Sequence, residues 1–131
     1  MAQSSDSEII AGARILVVED EFLIALELQR ILEEAGAREV VAVGHPAEAL
    51  AALGADASFD MAVIDVRLGA ESGEPVARAL EERRIPFLVT TGVANGSPAL
   101  EGFGEVPVVE KPYDADTLVQ RLAAAVRTAR R

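Results

Sequence analysis

Apolar residues follow two alternating rhythms from Arg14 onward: short unbroken runs, and longer stretches in which they recur every three to four positions. The runs cover residues 15–18, 40–43, 61–64, 87–89 and 106–109. Runs this short predict strands buried on both faces, as in a parallel sheet covered by helices. Between them, residues 22–35 place Ala25, Leu28, Leu32 and Ala35 on one helical face and Glu27, Arg30 and Glu34 on another, and Gly36 supplies the stop. Pro46 opens a helix with Ala49, Leu50 and Leu53 inward, and Pro75 opens one with Val76, Ala77 and Leu80 inward. Asp114 or Asp116 caps a last helix that buries Leu118, Leu122 and Val126, with Arg127, Arg130 and Arg131 at its negative end. Residues 93–105 hold Gly96, Pro98, Gly102 and Gly104, so any helix there is short. Residues 1–13 lack sustained periodicity and read as a flexible leader to a domain spanning 14–131. Alternation of this kind predicts an α/β domain, a doubly wound (βα)5 unit, which binds ligands beyond the carboxyl ends of its strands.

Composition narrows the possibilities. A length of 131 residues suits one domain, and with half the residues apolar but only 4% aromatic, the core must be aliphatic. A formal net charge of -10 repels phosphate backbones and anionic lipid, so neither nucleic acid nor a membrane is expected as a direct partner. Cysteine is absent, which excludes disulfides, thiolate nucleophiles and cysteine-ligated zinc. No basic segment precedes a long apolar stretch and no run approaches the ~18 residues of a membrane span, so a soluble, cytoplasmic protein is expected. Of the twelve basic side chains only Lys111 is a lysine, a side chain with chemistry that arginine does not reproduce.

The polar residues that end the apolar runs fall where the fold would gather them: Glu19 and Asp20 after the first strand, Asp65 after the third, Thr91 after the fourth and Lys111 after the fifth. Individually each has an ordinary reading. Asp20 can cap a helix, Asp65 and Thr91 can serve turns, and Lys111 can be a surface charge. His45, the one histidine, sits on a short loop with no cysteine or second histidine near it and reads as structural or solvent-exposed, and the Arg83-Arg84 pair reads as compensation of a helix end.

Taken in order, the motifs Ile15-Leu16-Val17-Val18-Glu19-Asp20-Glu21, Val63-Ile64-Asp65-Val66-Arg67-Leu68, Val89-Thr90-Thr91-Gly92 and Glu110-Lys111-Pro112-Tyr113 make residues 15–127 resemble the receiver domains of two-component response regulators. The resemblance implies a flavodoxin-like five-stranded parallel sheet in the order 2-1-3-4-5. It implies a stand-alone phosphoacceptor signalling protein, not an enzyme in the usual sense, that takes a phosphoryl group onto Asp65 from a histidine kinase or histidine phosphotransfer protein and presents a switched surface to a downstream protein. Magnesium would be bound by the carboxylates of Asp20 and Asp65 and the main-chain carbonyl of Arg67, with Glu19 acting through water. Lys111 would pair with Asp65 and then with a phosphoryl oxygen, Thr91 would meet the phosphoryl group, and the Lys111-Pro112 bond would be cis. Many receivers carry an aromatic residue where this chain has Val108, so switching by a ring at that position is not expected. In this the chain resembles a subfamily of single-domain receivers of alphaproteobacteria with a Phe-Ala-Thr-Gly motif, matched in part by Val89-Thr90-Thr91-Gly92. Residues 93–105 are the expected moving surface. Two other readings share parts of this pattern: an interaction module on the same fold that needs no phosphorylation, and a haloacid-dehalogenase-like phosphatase, whose Asp-x-Asp motif is replaced here by Glu19-Asp20-Glu21.

Overall fold

A computed structural model describes residues 4–55, 58–92, 103 and 106–130. Helix α1 (Ser4–Ile10) precedes β1 (Arg14–Val18), α2 (Phe22–Glu34), β2 (Glu39–Val43), α3 (Pro46–Ala55) and β3 (Met61–Asp65). A small hairpin, β4 (Arg67–Leu68) and β5 (Glu71–Ser72), leads into α4 (Glu74–Glu82), then β6 (Phe87–Thr91), β7 (Val108–Glu110) and α5 (Ala115–Ala129). The main sheet is parallel with order β2-β1-β3-β6-β7; with the hairpin set aside this is the expected 2-1-3-4-5.

Alternation along the central strands divides the core in two, because successive side chains of a strand point to opposite faces. Leu16, Val18, Ala62, Ile64 and Val89 pack with Ala49, Leu53, Val76 and Leu80 of α3 and α4. Ile15, Val17, Met61, Val63 and Leu88 pack on the other side with Leu28 and Leu32 of α2 and Leu118, Leu122 and Val126 of α5. At roughly 1.5–3 kcal/mol for each large apolar side chain buried, these two layers are what hold the strand ends in register. Among the described residues no buried side-chain polar atom lacks a partner, and no helix is long and apolar enough to cross a membrane.

Helix ends follow the sequence closely. Asp114 caps α5, its carboxylate accepting from the Thr117 amide at 2.7 Å. After α2, Gly36 takes φ +105, its amide donates to the Glu33 carbonyl and the Ala37 amide donates to Leu32, a paired closure that uses the left-handed freedom of glycine. The same closure ends α4 with Arg84 at φ 57, its amide on Glu81 and the Ile85 amide on Leu80. Arg84 is therefore more than a compensating charge.

Four expectations need correction. Residues 4–10, assigned to a leader without regular structure, form a helix whose Ile10 is fully buried with Val126 and Leu32, and whose Asp6 carboxylate meets the Arg127 guanidinium at 2.7 Å. That pairing spans most of the chain, so local periodicity could not reveal it. Leu50, expected inward, is exposed, while Ala49 and Leu53 fill the core. The connection from the third strand to the helix opened at Pro75, for which the run pattern predicts no strand, includes the hairpin. The last strand begins at Val108, two residues later than expected, and reaches Glu110. The expected short helix and moving surface of residues 93–105 fall, except for the buried Phe103, outside the described residues.

Candidate functional site

Each acid of the proposed site stands one or two positions past a fully buried strand segment, so the sheet delivers it to the carboxyl edge. Parallel pairing of β1 with β3 sets Val18 beside Ile64, which brings Glu19 and Asp20 next to Asp65. Carboxylate oxygens of Glu19, Asp20 and Asp65 all lie within 4.8 Å of one another; Glu19 and Asp65 are buried and Asp20 is exposed. Lys111, at the end of β7, reaches in from the opposite side. Its ammonium donates to Asp65 Oδ2 at 2.7 Å and to Glu19 Oε1 at 3.0 Å. The Lys111 amide donates to the Thr91 carbonyl at 2.7 Å, and the Lys111-Pro112 peptide is cis.

The remaining oxygens are also held. Asp65 Oδ1 accepts from the Arg67 amide at 3.1 Å, and Glu19 Oε2 accepts from the Glu21 amide at 3.1 Å. Asp20, Asp65, Arg67, Thr91 and Lys111 line one open cleft of about 350 Å³, into which Gly69 and Gly92 also face. All six residues named from the sequence thus come together at one edge, Glu19 beneath the others. His45 is exposed and lies elsewhere. Val108, half-buried, packs against the α3/α4 side of the core.

Charge balance around the Glu19, Asp20 and Asp65 cluster is uneven, three carboxylates facing the Lys111 ammonium, with Glu21 and Arg67 also on the lining of the cleft. Burial pushes the Glu19 carboxyl up to about 7, against the lowering pull of the Glu21 amide and of Lys111, with the Asp65 charge adding to the rise. Burial works against the Lys111 ammonium, yet its hydrogen bonds to Asp65 and Glu19 and their charges outweigh it, so Lys111 is held charged above the ordinary lysine range. Tyr113, packed beside the α2/α5 layer, is pushed up to about 12, chiefly by burial. A hard divalent cation fits this donor set: oxygen ligands only, net negative charge, and one face open to water.

The raised Glu19 value predicts a pH dependence. The folded chain keeps a proton on Glu19 that the unfolded chain releases near 4.5, so stability is greatest below that value and is lost as pH rises through about 7. Urea unfolding of the metal-free protein is expected to show stability falling by up to about 1.4 kcal/mol per pH unit within that window. Glu19→Gln should flatten the slope; a variant with the parent's slope would locate the titration elsewhere.

Two features of the rim were not legible as functional. Phe22 and Leu23, read only as the start of a helix, are largely exposed at the N-terminus of α2, with Leu26 behind them. Phe22 and Leu26 line a second cleft of about 240 Å³ that shares Asp20 with the first. Exposed apolar residues beside an acidic cleft leave no signal in a helical wheel, because the same residues could equally have faced the core.

Comparison with known proteins places these observations among relatives. The family model described as response regulator receiver domain matches residues 15–123. The chain is 36% identical over 124 residues to the transcriptional regulatory protein TcrA of Mycobacterium tuberculosis, covering 90% of this chain and 47% of that protein. It is 29% identical over 119 residues to the transcriptional regulatory protein YvrH of Bacillus subtilis, covering 88% of this chain and 50% of that one. The chain thus spans about half the length of these curated relatives. Among solved structures, a response regulator receiver protein from Sinorhizobium medicae superposes with a TM-score of 0.79 at 27% identity, covering 90% of this chain and 97% of the other. The solution structure of SdrG from Sphingomonas melonis matches with a TM-score of 0.74 at 38% identity, covering 88% and 96%.

Proposed function

This chain belongs to the response regulator receiver domain family of two-component signalling, and from that premise we propose that it is a phosphoacceptor whose Asp65 takes a phosphoryl group from a protein phosphohistidine. The observation that carries the reading is the Lys111 ammonium bridging Asp65 and Glu19 in a cleft shared with Asp20. An isolated surface lysine has no reason to be drawn into that position, whereas a cation there both holds the nucleophile and awaits the charge of an incoming phosphoryl oxygen.

In the transfer, an Asp65 carboxylate oxygen attacks phosphorus as the bond from phosphorus to the donor's imidazole nitrogen breaks, leaving its electron pair on nitrogen. Lys111 releases the attacking carboxylate and pairs with a phosphoryl oxygen, and Thr91, a buried residue in the lining of the cleft, offers its hydroxyl to another. Asp20, Asp65 and the Arg67 carbonyl would hold magnesium, with Glu19 acting through water. When bound, the ion supplies neutralisation of charge on the phosphoryl oxygens. The exposed Phe22, Leu23 and Leu26, of which Phe22 and Leu26 share a cleft with Asp20, supply an apolar landing for a donor protein, which is a histidine kinase or histidine phosphotransfer protein. A cytoplasmic location follows from this reading. The protein acts as a signalling component whose own carboxylate is phosphorylated to an acyl phosphate and regenerated by its hydrolysis.

The test is intact mass after incubation with acetyl phosphate. One phosphoryl group should be added in magnesium, none in excess chelator, and the adduct should be discharged by hydroxylamine, as an acyl phosphate is. No adduct under any condition would favour a partner-binding module that works without phosphate.

A further inference from the structure

The hairpin between β3 and α4 is closed by a residue whose lack of a side chain is a matter of space. Gly73 has φ -77 and ψ -3, a conformation open to any residue. A Cβ at Gly73, however, would lie 2.2 Å from the Asp65 carbonyl oxygen and 3.3 Å from its carbon, which are backbone atoms that cannot swing aside. The Gly73 amide donates to the Val66 carbonyl at 2.8 Å, and the Gly73 carbonyl accepts from the Val76 and Ala77 amides at 3.1 Å, so one residue ties the peptide that follows Asp65 to the first turn of α4. Between them the chain goes out and back: Arg67 pairs with Ser72 and Leu68 with Glu71, Gly69 turns at φ +65, and Leu68 is buried in the α3/α4 layer as an anchor. The Arg67 amide that holds Asp65 Oδ1 is on the inner strand of this hairpin.

We propose that Gly73 is a positioning residue for phosphoryl transfer. Its backbone lies against Asp65 where no other residue fits, and this contact closes residues 66–73 into a clamp that fixes the Arg67 backbone over the Asp65 carboxylate. The inference rests on the phosphoacceptor reading above. A methyl group at Gly73 must push the 65–66 peptide and the hairpin apart, and a shift of about 1 Å in a reacting group costs on the order of a hundredfold in rate when the reaction depends on alignment.

Gly73→Ala is the direct test, read in two ways. Hydrogen exchange at the Arg67 amide in the metal-free protein requires no phosphate and should speed up. The maximal rate of phosphorylation by acetyl phosphate should fall by about tenfold or more, with the half-saturating donor concentration changed less than about twofold, since alignment and not donor binding is disturbed. A merely structural role would lower the melting temperature without this split. Gly69→Ala, on the exposed turn and away from the core, strains the same hairpin through its positive φ and should produce the same pair of changes should Gly73→Ala not fold. Parent-like Arg67 exchange in a folded variant would overturn the clamp, and so would a parent-like maximal rate. A parent chain that accepts no phosphate would overturn the phosphoacceptor reading instead, and the amide measurement would still decide the clamp.

Discussion

Asp65→Asn is expected to abolish the phosphoryl adduct while leaving the metal-free chain at least as stable as its parent. An amide keeps the shape of the carboxylate and can still accept from the Arg67 amide, but it offers no anionic oxygen to attack phosphorus. Stability separates this loss from unfolding. Charges about 4 Å apart interact by roughly 4 kcal/mol at an effective dielectric near 20. Neutralising Asp65 removes its repulsion with both Glu19 and Asp20 and gives up a single attraction, to Lys111, which keeps Glu19 as a partner. Intact mass with acetyl phosphate and urea unfolding without metal check both halves. An adduct of parental yield would move the acceptor elsewhere, and a large loss of stability would show that the acids are not in mutual repulsion.

Lys111→Ala should act in the opposite sense. The ammonium is the cation among three carboxylates, and removing one member of a buried pair leaves uncompensated charge behind, at a cost of about 3 kcal/mol. The cost should grow with pH. At low pH Glu19 relieves the imbalance by holding a proton, a tendency that loss of the lowering pull of Lys111 strengthens, and as pH rises it gives that proton up. A divalent cation that binds only the folded chain restores stability by mass action, so millimolar magnesium should recover much of the loss. Phosphorylation should also slow, because nothing then meets the transferred oxygens from the β7 side. Urea unfolding at pH 5 and pH 8, with magnesium and with chelator, checks this. A loss independent of both pH and metal would mean that Lys111 serves packing alone.

The sheet and the gathering of the site were legible because two independent signals agreed. Unbroken aliphatic runs marked the strands, and four of the five runs gave way to polar residues at their carboxyl ends: Glu19-Asp20, Asp65, Thr90-Thr91 and Glu110-Lys111. Registration of parallel strands then does the rest, since pairing Val18 with Ile64 leaves their successors side by side. What escaped notice depended on contacts that the sequence does not encode locally. Asp6 and Arg127 are remote partners, and among the described side chains of helix α1 the buried ones are the polar Asp6 and a single apolar residue, Ile10, too few for a hydrophobic period. Leu50 and Leu53 stand three apart, and only packing decides that the second turns inward. The two strands of the hairpin are two residues each and carry Arg67, Glu71 and Ser72, so their alternation is too short and too polar to read.

The solitary lysine has a further consequence for chemistry performed on the chain from outside. Acylating or alkylating reagents aimed at ε-amines find a single target in all 131 residues, and it is the side chain at the heart of the acidic cleft. Held protonated by Glu19 and Asp65, that amine is a poor nucleophile at neutral pH, and its reactivity will track whatever draws those two carboxylates away from it. The molecule therefore carries a built-in reporter of the state of its cleft, addressable without mutation, and any modification that neutralises lysine charge would disable the pocket in one stroke.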